Sequence, residues 1–202
     1  MKQIQNIVFD LGGVLIDWNP RYMYRKVFSD EQEMETFLTE VCTPDWNEQQ
    51  DAGRTLADAT AERVQKFPQH QKEIEMFYAR WDEMLGGPIH PTVDLLKRIC
   101  DRNQHGLFSL TNWSHETFHV ALERYEFLGH FEDIIVSGVE KCKKPDLKIY
   151  EILINRTKIN PSNSLFIDDS HRNIEAAKKL GFHTFHFQSE KMVPELEALI
   201  FS

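Results

Sequence analysis

The sequence predicts an α/β fold, a parallel sheet with a block of helices inserted after its first strand. Three observations predict it. An apolar run stops abruptly at Asp10-Leu11-Gly12-Gly13. A long stretch with helical periodicity and no strand pattern follows, from Pro20 to about Leu85. Strand-like and helix-like segments then alternate to Ser202, as in consecutive βαβ units.

The first strand is read from Gln3 to Asp10. A strand of an open parallel sheet that stops this way puts Asp10 at the carboxyl edge, where such sheets bind ligands. Two glycines let the backbone turn sharply and approach a ligand closely. Taken alone, a carboxylate that merely caps the turn explains Asp10 as well. Leu15-Ile16 leads into Asp17-Trp18-Asn19-Pro20, where Pro20 suits a first helical turn and Asn19 its cap.

In the inserted block, Tyr22, Tyr24, Val27 and Phe28 predict one short helix. Met34, Phe37, Leu38 and Val41 fall at i, i+3, i+4 and i+7 of a second. Leu56, Ala59, Val64 and Phe67 mark a third, and Ile74, Phe77, Tyr78, Trp81 and Leu85 a fourth, closed by Gly86-Gly87-Pro88. The block is too long for a single βα crossover. We therefore expect a small helical cap over 18–87 and a discontinuous core over 1–17 and 88–202.

In the second half, helices are expected at Pro91 to Arg102, Ser114 or His115 to Leu128, Asp146 to Arg156, Asn173 to Leu180 and Met192 to Ile200. Gly181 sits at the C′ position of the fourth of these. Strands are expected at Gly106 to Thr111, Ile134 to Ser137, Ser164 to Asp168 and Thr184 to Phe187.

The 202 residues fit one core domain with an insertion, and 41% hydrophobic residues suffice for its core. A net charge of -9 argues against a nucleic-acid-binding surface. Cys42, Cys100 and Cys142 form no CxxC pair, which suggests reduced thiols. The N-terminal apolar run is too short for a signal peptide, and no stretch has the length of a membrane span. A cytoplasmic monomer that contacts neither nucleic acid nor membrane is the expectation.

Each strand's apolar run ends in polar residues: Asp10, Thr111-Asn112, Ser137 and Asp168-Asp169. A parallel sheet brings these ends to one edge. Adjacent Asp168 and Asp169, with Asp10, would repel unless a cation held them. A hard divalent ion with oxygen ligands suits them, and Mg²⁺ accepts a few carboxylates with waters and a phosphate oxygen. Lys144, in Lys141-Cys142-Lys143-Lys144-Pro145-Asp146, is a second cation; Pro145 is expected to hold it extended and to start the next helix.

In motif order the chain resembles the haloacid dehalogenase-like (HAD) superfamily. Asp10-Leu11-Gly12-Gly13-Val14 resembles its first motif, Thr111-Asn112 the second, Lys144-Pro145-Asp146 the third, and Phe166-Ile167-Asp168-Asp169-Ser170 with Asn173 and Gly181 the fourth. It is most similar to the helical-cap subgroup that includes sugar-1-phosphate phosphatases and the phosphatase domain of epoxide hydrolases. The resemblance implies a Rossmann-like, doubly wound core under a helical cap, and hydrolysis of a small phosphorylated metabolite. It implies Asp10 as a nucleophile that forms an aspartyl-phosphate. Thr111 and the backbone near Asn112 would hold phosphoryl oxygens, and Lys144 would neutralise charge. Mg²⁺ would be held by Asp10, the Gly12 carbonyl and Asp169, with Asp168 a ligand or a supporting partner.

One position departs from the pattern. Phosphatases of this family usually carry a second Asp, the general acid, two residues after the nucleophile; here that residue is Gly12. Three consequences follow: a substrate with an easy leaving group, an acid from elsewhere such as Asp17, or a slow or inactive protein. A metal-free 2-haloacid dehalogenase also lacks that Asp, but has no use for Asp168-Asp169. A non-catalytic binding module on the same scaffold would leave Asp10, Lys144 and the Asp pair without a task.

Trp46, Asn47, Gln50 and Arg54 form a polar-aromatic cluster in the cap, and Trp46 and Arg54 are candidates for substrate binding. A structural Trp beside a surface Arg explains the cluster equally. Trp18, Trp113 and Ser114 are further candidates for the pocket wall. His115 and His119 are spaced i, i+4 without a third ligand and read as ordinary helix residues.

Overall fold

The structure is a computed structural model that describes residues 4–201, so the expected strand start at Gln3 lies outside the described residues. Five parallel strands form the sheet, in the order β5-β4-β1-β6-β7. They are β1 (Asn6–Phe9), β4 (Gly106–Thr111), β5 (Asp133–Val136), β6 (Ser164–Asp168) and β7 (His183–His186). The chain runs from β1 outward through β4 and β5, then returns to lay β6 and β7 on the other side. The reversal falls between β1 and β6, and a ligand crevice opens at the carboxyl ends of the strands at such a reversal.

Strand alternation explains why both faces carry helices. Ile7 and Phe9 belong to one buried cluster, while Val8 between them belongs to another. The first cluster takes in Val93, Leu96 and Ile99 of α6 (His90–Arg102) and Leu196 and Ile200 of α11 (Val193–Ile200). The second takes in Ile149, Tyr150 and Leu153 of α9 (Leu147–Thr157) and Ile174 and Ala177 of α10 (His171–Lys179). The sheet is therefore doubly wound, as expected.

The inserted block holds α1 (Arg21–Tyr24), α2 (Glu31–Thr36), α3 (Pro44–Asn47), α4 (Leu56–Lys66) and α5 (Gln71–Ala79), joined by tighter turns. Asp30, Thr43 and Thr55 cap α2, α3 and α4 by accepting backbone N–H groups. The second predicted helix is split: α2 widens into a π turn at Phe37–Val41, and its apolar positions all remain buried. The fourth stops at Ala79 and passes through a 3₁₀ turn, Trp81–Met84.

Two further elements correct the sequence reading. β2 (Ile16–Trp18) and β3 (Leu85–Pro88) pair antiparallel, where a lead-in to the first helix and, at the far end, a helix end with its Gly-Gly-Pro terminator were expected. This ribbon carries the chain into and out of the helical block. The helix expected from Ser114 or His115 is only α7 (Phe118–Arg124) followed by a 3₁₀ turn, Glu126–His130. A short α8 (Ser137–Glu140) continues β5. Pro145 does not start α9: Asp146 caps it by accepting the Lys148 N–H, and Pro145 follows a cis peptide bond.

Candidate active site

The parallel register decides which residues meet. Phe9 is level with Ser109 on one side and with Ile167 on the other. Asp10 is one residue further on, and its N–H donates to the Ile167 carbonyl at 2.8 Å. Asp168, one residue past Ile167, ends one flanking strand level with Asp10, and Thr111, two past Ser109, ends the other one residue further on. The loop after Asp10 is wound tightly, the Leu11 carbonyl accepting from Leu15 and Ile16, each at 2.8 Å.

Lys144 is the cation of the site. Its Nζ reaches Asp10 Oδ2 at 2.9 Å and Asp168 Oδ2 at 2.7 Å, and donates to the Leu110 carbonyl at 2.7 Å. The Lys144 side chain has 0% exposure, so water contributes nothing to its solvation. Asn112 sets its position, donating from Nδ2 to the Lys144 carbonyl and accepting the Lys144 N–H. Burial opposes the charged ammonium, but Asp10 and Asp168 outweigh it and hold Lys144 above its ordinary value.

The three carboxylates differ in their surroundings. Asp168 is fully buried and engaged, accepting from Lys144, from Asn173 Nδ2 at 2.9 Å and from the Ser170 N–H at 2.8 Å. Asp10 accepts the Leu11 N–H on Oδ1 at 2.7 Å, faces Lys144 with Oδ2 at 2.9 Å, and lines the crevice. Burial raises the Asp10 carboxyl well above the carboxylate range; Lys144 opposes this, and the charges of Asp168 and Asp169 reinforce it. Asp169 is raised too, by burial first and by Asp168 second. A carboxylate oxygen from each of the three lies within 4.8 Å of the others. Among the described residues the Lys144 ammonium pairs with two of the three carboxylates and Asp169 has no cation of its own, which leaves an excess of negative charge. That donor set fits a hard divalent cation.

The second glycine is explained by this cluster. Gly13 has φ of +71°, and a Cβ there would meet Asp169 Oδ2 at 2.4 Å. Gly13→Ala should cost about 1–2 kcal/mol in backbone strain alone, about 2–8 °C in Tm for a chain of this size. It should also push Asp169 out of the cluster. Thermal denaturation with and without a divalent cation checks this; an unchanged Tm and an unchanged cation response would contradict it. Gly12 is different: a Cβ there meets nothing within 4 Å.

The crevice is a cavity of about 390 Å³ between the strand ends and the helical block. Asp10, Gly12, Asn112 and Asp169 line its floor. Trp18, Trp113 and Ser114 line it as expected, with Trp81 of the helical block packed edge-on to Trp113 at 5.3 Å. Thr111 Oγ1 is buried and, among the described residues, has no hydrogen-bond partner.

The remaining candidates are placed elsewhere. Trp46 is 1% exposed and packs edge-on to Phe77 and tilted against Tyr78, with Nε1 donating to the Ala59 carbonyl. It is the centre of the helical block's own core. Arg54 pairs with Glu62 and donates to Gln49 and to the Asp58 carbonyl. Neither residue is on the cavity wall; their neighbours Asn47, Glu48 and Asp51 are. Asp17 of β2 accepts the Tyr22 hydroxyl of α1 at 2.5 Å and is also absent from the wall.

Glu48 shows how the two parts are held together. It pairs with Lys143 and, at 3.0 Å, with Arg172, both from the sheet-bearing part. Burial works against its charge, but the two cations prevail and hold its carboxyl below the ordinary value. Glu116 accepts the Leu56 N–H at 2.7 Å, and Arg124 pairs with Asp82 at 2.6 Å.

The reversal point of a doubly wound sheet thus brings together Asp10, the buried Lys144 and the adjacent Asp168 and Asp169, an arrangement that suits a hydrolase. The chain belongs to the haloacid dehalogenase-like hydrolase family, whose sequence profile matches residues 4–181. It is 24% identical to a sesquiterpene phosphatase of Aspergillus oryzae, over 89% of this chain and 87% of that one. It is also 24% identical to the D-ribitol-5-phosphate phosphatase of Bacteroides thetaiotaomicron, over 90% and 91%. A HAD family enzyme of Bacteroides thetaiotaomicron, solved as an Asp12Ala mutant with magnesium and inorganic phosphate, superposes with a TM-score of 0.67. It is 23% identical, over 90% of this chain and 93% of that one. Among the described residues no helix is long and apolar enough to cross a membrane.

Proposed function

We propose that the protein is a Mg²⁺-dependent phosphatase of small phosphomonoesters that works through a phosphorylated Asp10. The observation that carries this reading is the Asp10–Lys144–Asp168 arrangement at the floor of the cavity, with Asp169 beside it. In this reading 18–87 is a cap over a core of 1–17 and 88–202.

Asp10 Oδ attacks the phosphorus, and the leaving oxygen departs toward the cap. The Lys144 ammonium offsets the charge of the Asp10 carboxylate, which lets the anionic phosphoryl group approach. Thr111 Oγ1 and the backbone at Asn112 hold phosphoryl oxygens. Asp10, the Gly12 carbonyl and Asp169 would hold Mg²⁺, which when bound neutralises charge on the transferred group. Asp168 has its acceptors occupied by Lys144, Asn173 and Ser170, so its part is to fix Lys144. Water then cleaves the acyl phosphate and releases inorganic phosphate. The cavity wall combines aromatic rings with Asn47, Glu48 and Asp51, which suits a metabolite with both apolar surface and hydroxyls, sugar phosphates included.

The test is phosphate release from a panel of sugar 1-phosphates, sugar 6-phosphates, polyol phosphates and aryl phosphates. Turnover that requires Mg²⁺ and stops with chelator supports the proposal. Turnover indifferent to chelator, or dehalogenation of 2-haloacids in its place, contradicts it. Binding of the ion to the carboxylates carries its own prediction. At an ion concentration about 100 times its Kd, stability should rise by about 2.7 kcal/mol, or roughly 5–11 °C in Tm. Asp169→Asn should lose most of that shift in a calorimetric scan; a full shift in the variant would exclude Asp169 as a ligand.

A further inference from the structure

Gly12 leaves the phosphatase reading without a group to protonate the leaving oxygen. The cavity holds a carboxyl suited to that task. Asp51 lies in a 3₁₀ turn of the helical block, Gln50–Ala52, and lines the same cavity as Asp10 and Gly12. It enters that cavity from the helical block, while Asp10, Asn112 and Asp169 enter it from the strand ends.

The turn is held firmly for a loop. Gly53 ends it with φ of +92°, and a Cβ there would meet the Gly138 carbonyl at 3.2 Å and Lys141 Cγ at 3.0 Å. Gly138 of α8 is pressed in turn against the loop after β4: a Cβ on it would meet the His115 nitrogen at 2.5 Å. From that loop the Ser114 N–H donates to the Asp51 carboxylate, a hydrogen bond from core to cap. Asp51 is thus positioned by the segment that also supplies Asn112 and Trp113 to the cavity.

Its surroundings are balanced. Glu48 of its own segment and Tyr78 of α5 face it from the cap; Lys143 and Lys144 face it from the core, and Arg172 reaches it indirectly through Glu48. Burial is the largest influence and pushes Asp51 up to about 7, with Glu48 adding to it and Lys143 and Lys144 opposing. Near neutral pH such a carboxyl can both give and take a proton.

We propose that Asp51, carried by the cap, is the general acid and base of this phosphatase. The proposal rests on the phosphomonoesterase reading above. As the Asp10 Oδ–P bond forms and the ester P–O bond breaks, the Asp51 proton passes to the leaving oxygen, which departs as an alcohol. In the second half, the Asp51 carboxylate takes a proton from water as the water oxygen bonds to phosphorus and the Asp10 Oδ–P bond breaks. Inorganic phosphate and protonated Asp51 result, so the cycle closes. Chemistry on a poor leaving group then depends on cap and core being docked.

The test uses wild type and Asp51→Asn with Mg²⁺, and measures single-turnover phenol release from phenyl phosphate and from 4-nitrophenyl phosphate. Asn keeps an oxygen for the Ser114 N–H, and Tm reports that the fold is retained. Release of phenol should fall by about 10²–10³-fold in the variant, the usual worth of a positioned acid. Release of 4-nitrophenol, which needs little protonation, should fall by less than about tenfold. Wild-type release of phenol should decline as pH rises through about 7, and the variant should lack that decline. Gly12→Asp, which the open space at Gly12 admits, should restore much of the lost rate to Asp51→Asn. Equal losses on both esters, or no loss on phenyl phosphate, would overturn the proposal. If Asp10→Asn is inactive while Asp51→Asn is normal, only this assignment fails. If the wild type releases phosphate from no ester, the phosphatase reading fails with it.

Discussion

Asp10→Asn is expected to lower phosphatase turnover by at least about 10⁴-fold, the scale seen when a covalent nucleophile is removed. It is also expected to leave the metal-free protein as stable as the wild type or more so. The second expectation follows from electrostatics. Burial, Asp168 and Asp169 together outweigh Lys144 and hold the Asp10 carboxyl above its ordinary range. The folded protein therefore prefers a neutral group there. With the folded value above the unfolded one, the folded state binds more protons in between, so metal-free stability falls as pH rises through that window. Asn removes this cost. Paired thermal scans at pH 5 and pH 8, with chelator, check it. A variant that is less stable than wild type at pH 8 would contradict it.

Lys144→Met is expected to have the largest effect on the fold. Asp10 and Asp168 would lose the ammonium that lies 2.9 and 2.7 Å from them. Removing one partner of a buried ion pair typically costs about 3–5 kcal/mol, which is roughly 6–20 °C in Tm here. Asp10, already raised, should rise further, so acidification from pH 8 to pH 5 should recover more stability in the variant than in wild type. Loss of charge compensation for the transferred phosphoryl group should lower kcat by about 10³-fold. Denaturation curves across that pH range measure the first two effects. A change within about 0.5 kcal/mol, as for an ordinary surface substitution, would show that Lys144 is not the electrostatic centre of the site.

These effects rest on a site whose floor is largely written in the sequence. Each strand end is marked by a switch from apolar to polar residues. Parallel pairing makes neighbours of ends that are more than a hundred residues apart, as with Asp10 and Asp168. What periodicity cannot carry is which carboxylate is engaged by protein donors. Asp168 and Asp169 look equivalent as letters, yet Asp168 ends β6 buried among Lys144 and Asn173, while Asp169, one residue past the strand, stands at the crevice.

The helical block was less legible, for a physical reason. Its helices are short, and its turns take their geometry from contacts with the core. Trp46 and Arg54 share a polar stretch with Asn47, Glu48 and Asp51, yet α3 and the turn after it aim these side chains in different directions. The ring of Trp46 fills the cap interior, while Asp51 meets the Ser114 N–H. No local signal distinguishes the two; the one clue is Gly53, which ends the turn that carries Asp51. The ribbon of β2 and β3 escaped notice because three-residue strands and a Gly-Gly-Pro run carry no alternation.

The central claim is that Asp10 becomes phosphorylated. Acid quenching of Asp51→Asn and wild type during turnover of 4-nitrophenyl phosphate with Mg²⁺, followed by peptide mass spectrometry, tests it most directly. The account predicts a phosphoryl group on the peptide carrying Asp10, absent in Asp10→Asn, and longer-lived in Asp51→Asn because deprotonation of the hydrolytic water is impaired. Phosphate release by the wild type with no phosphoryl group on that peptide, or with the group on another residue, would contradict it.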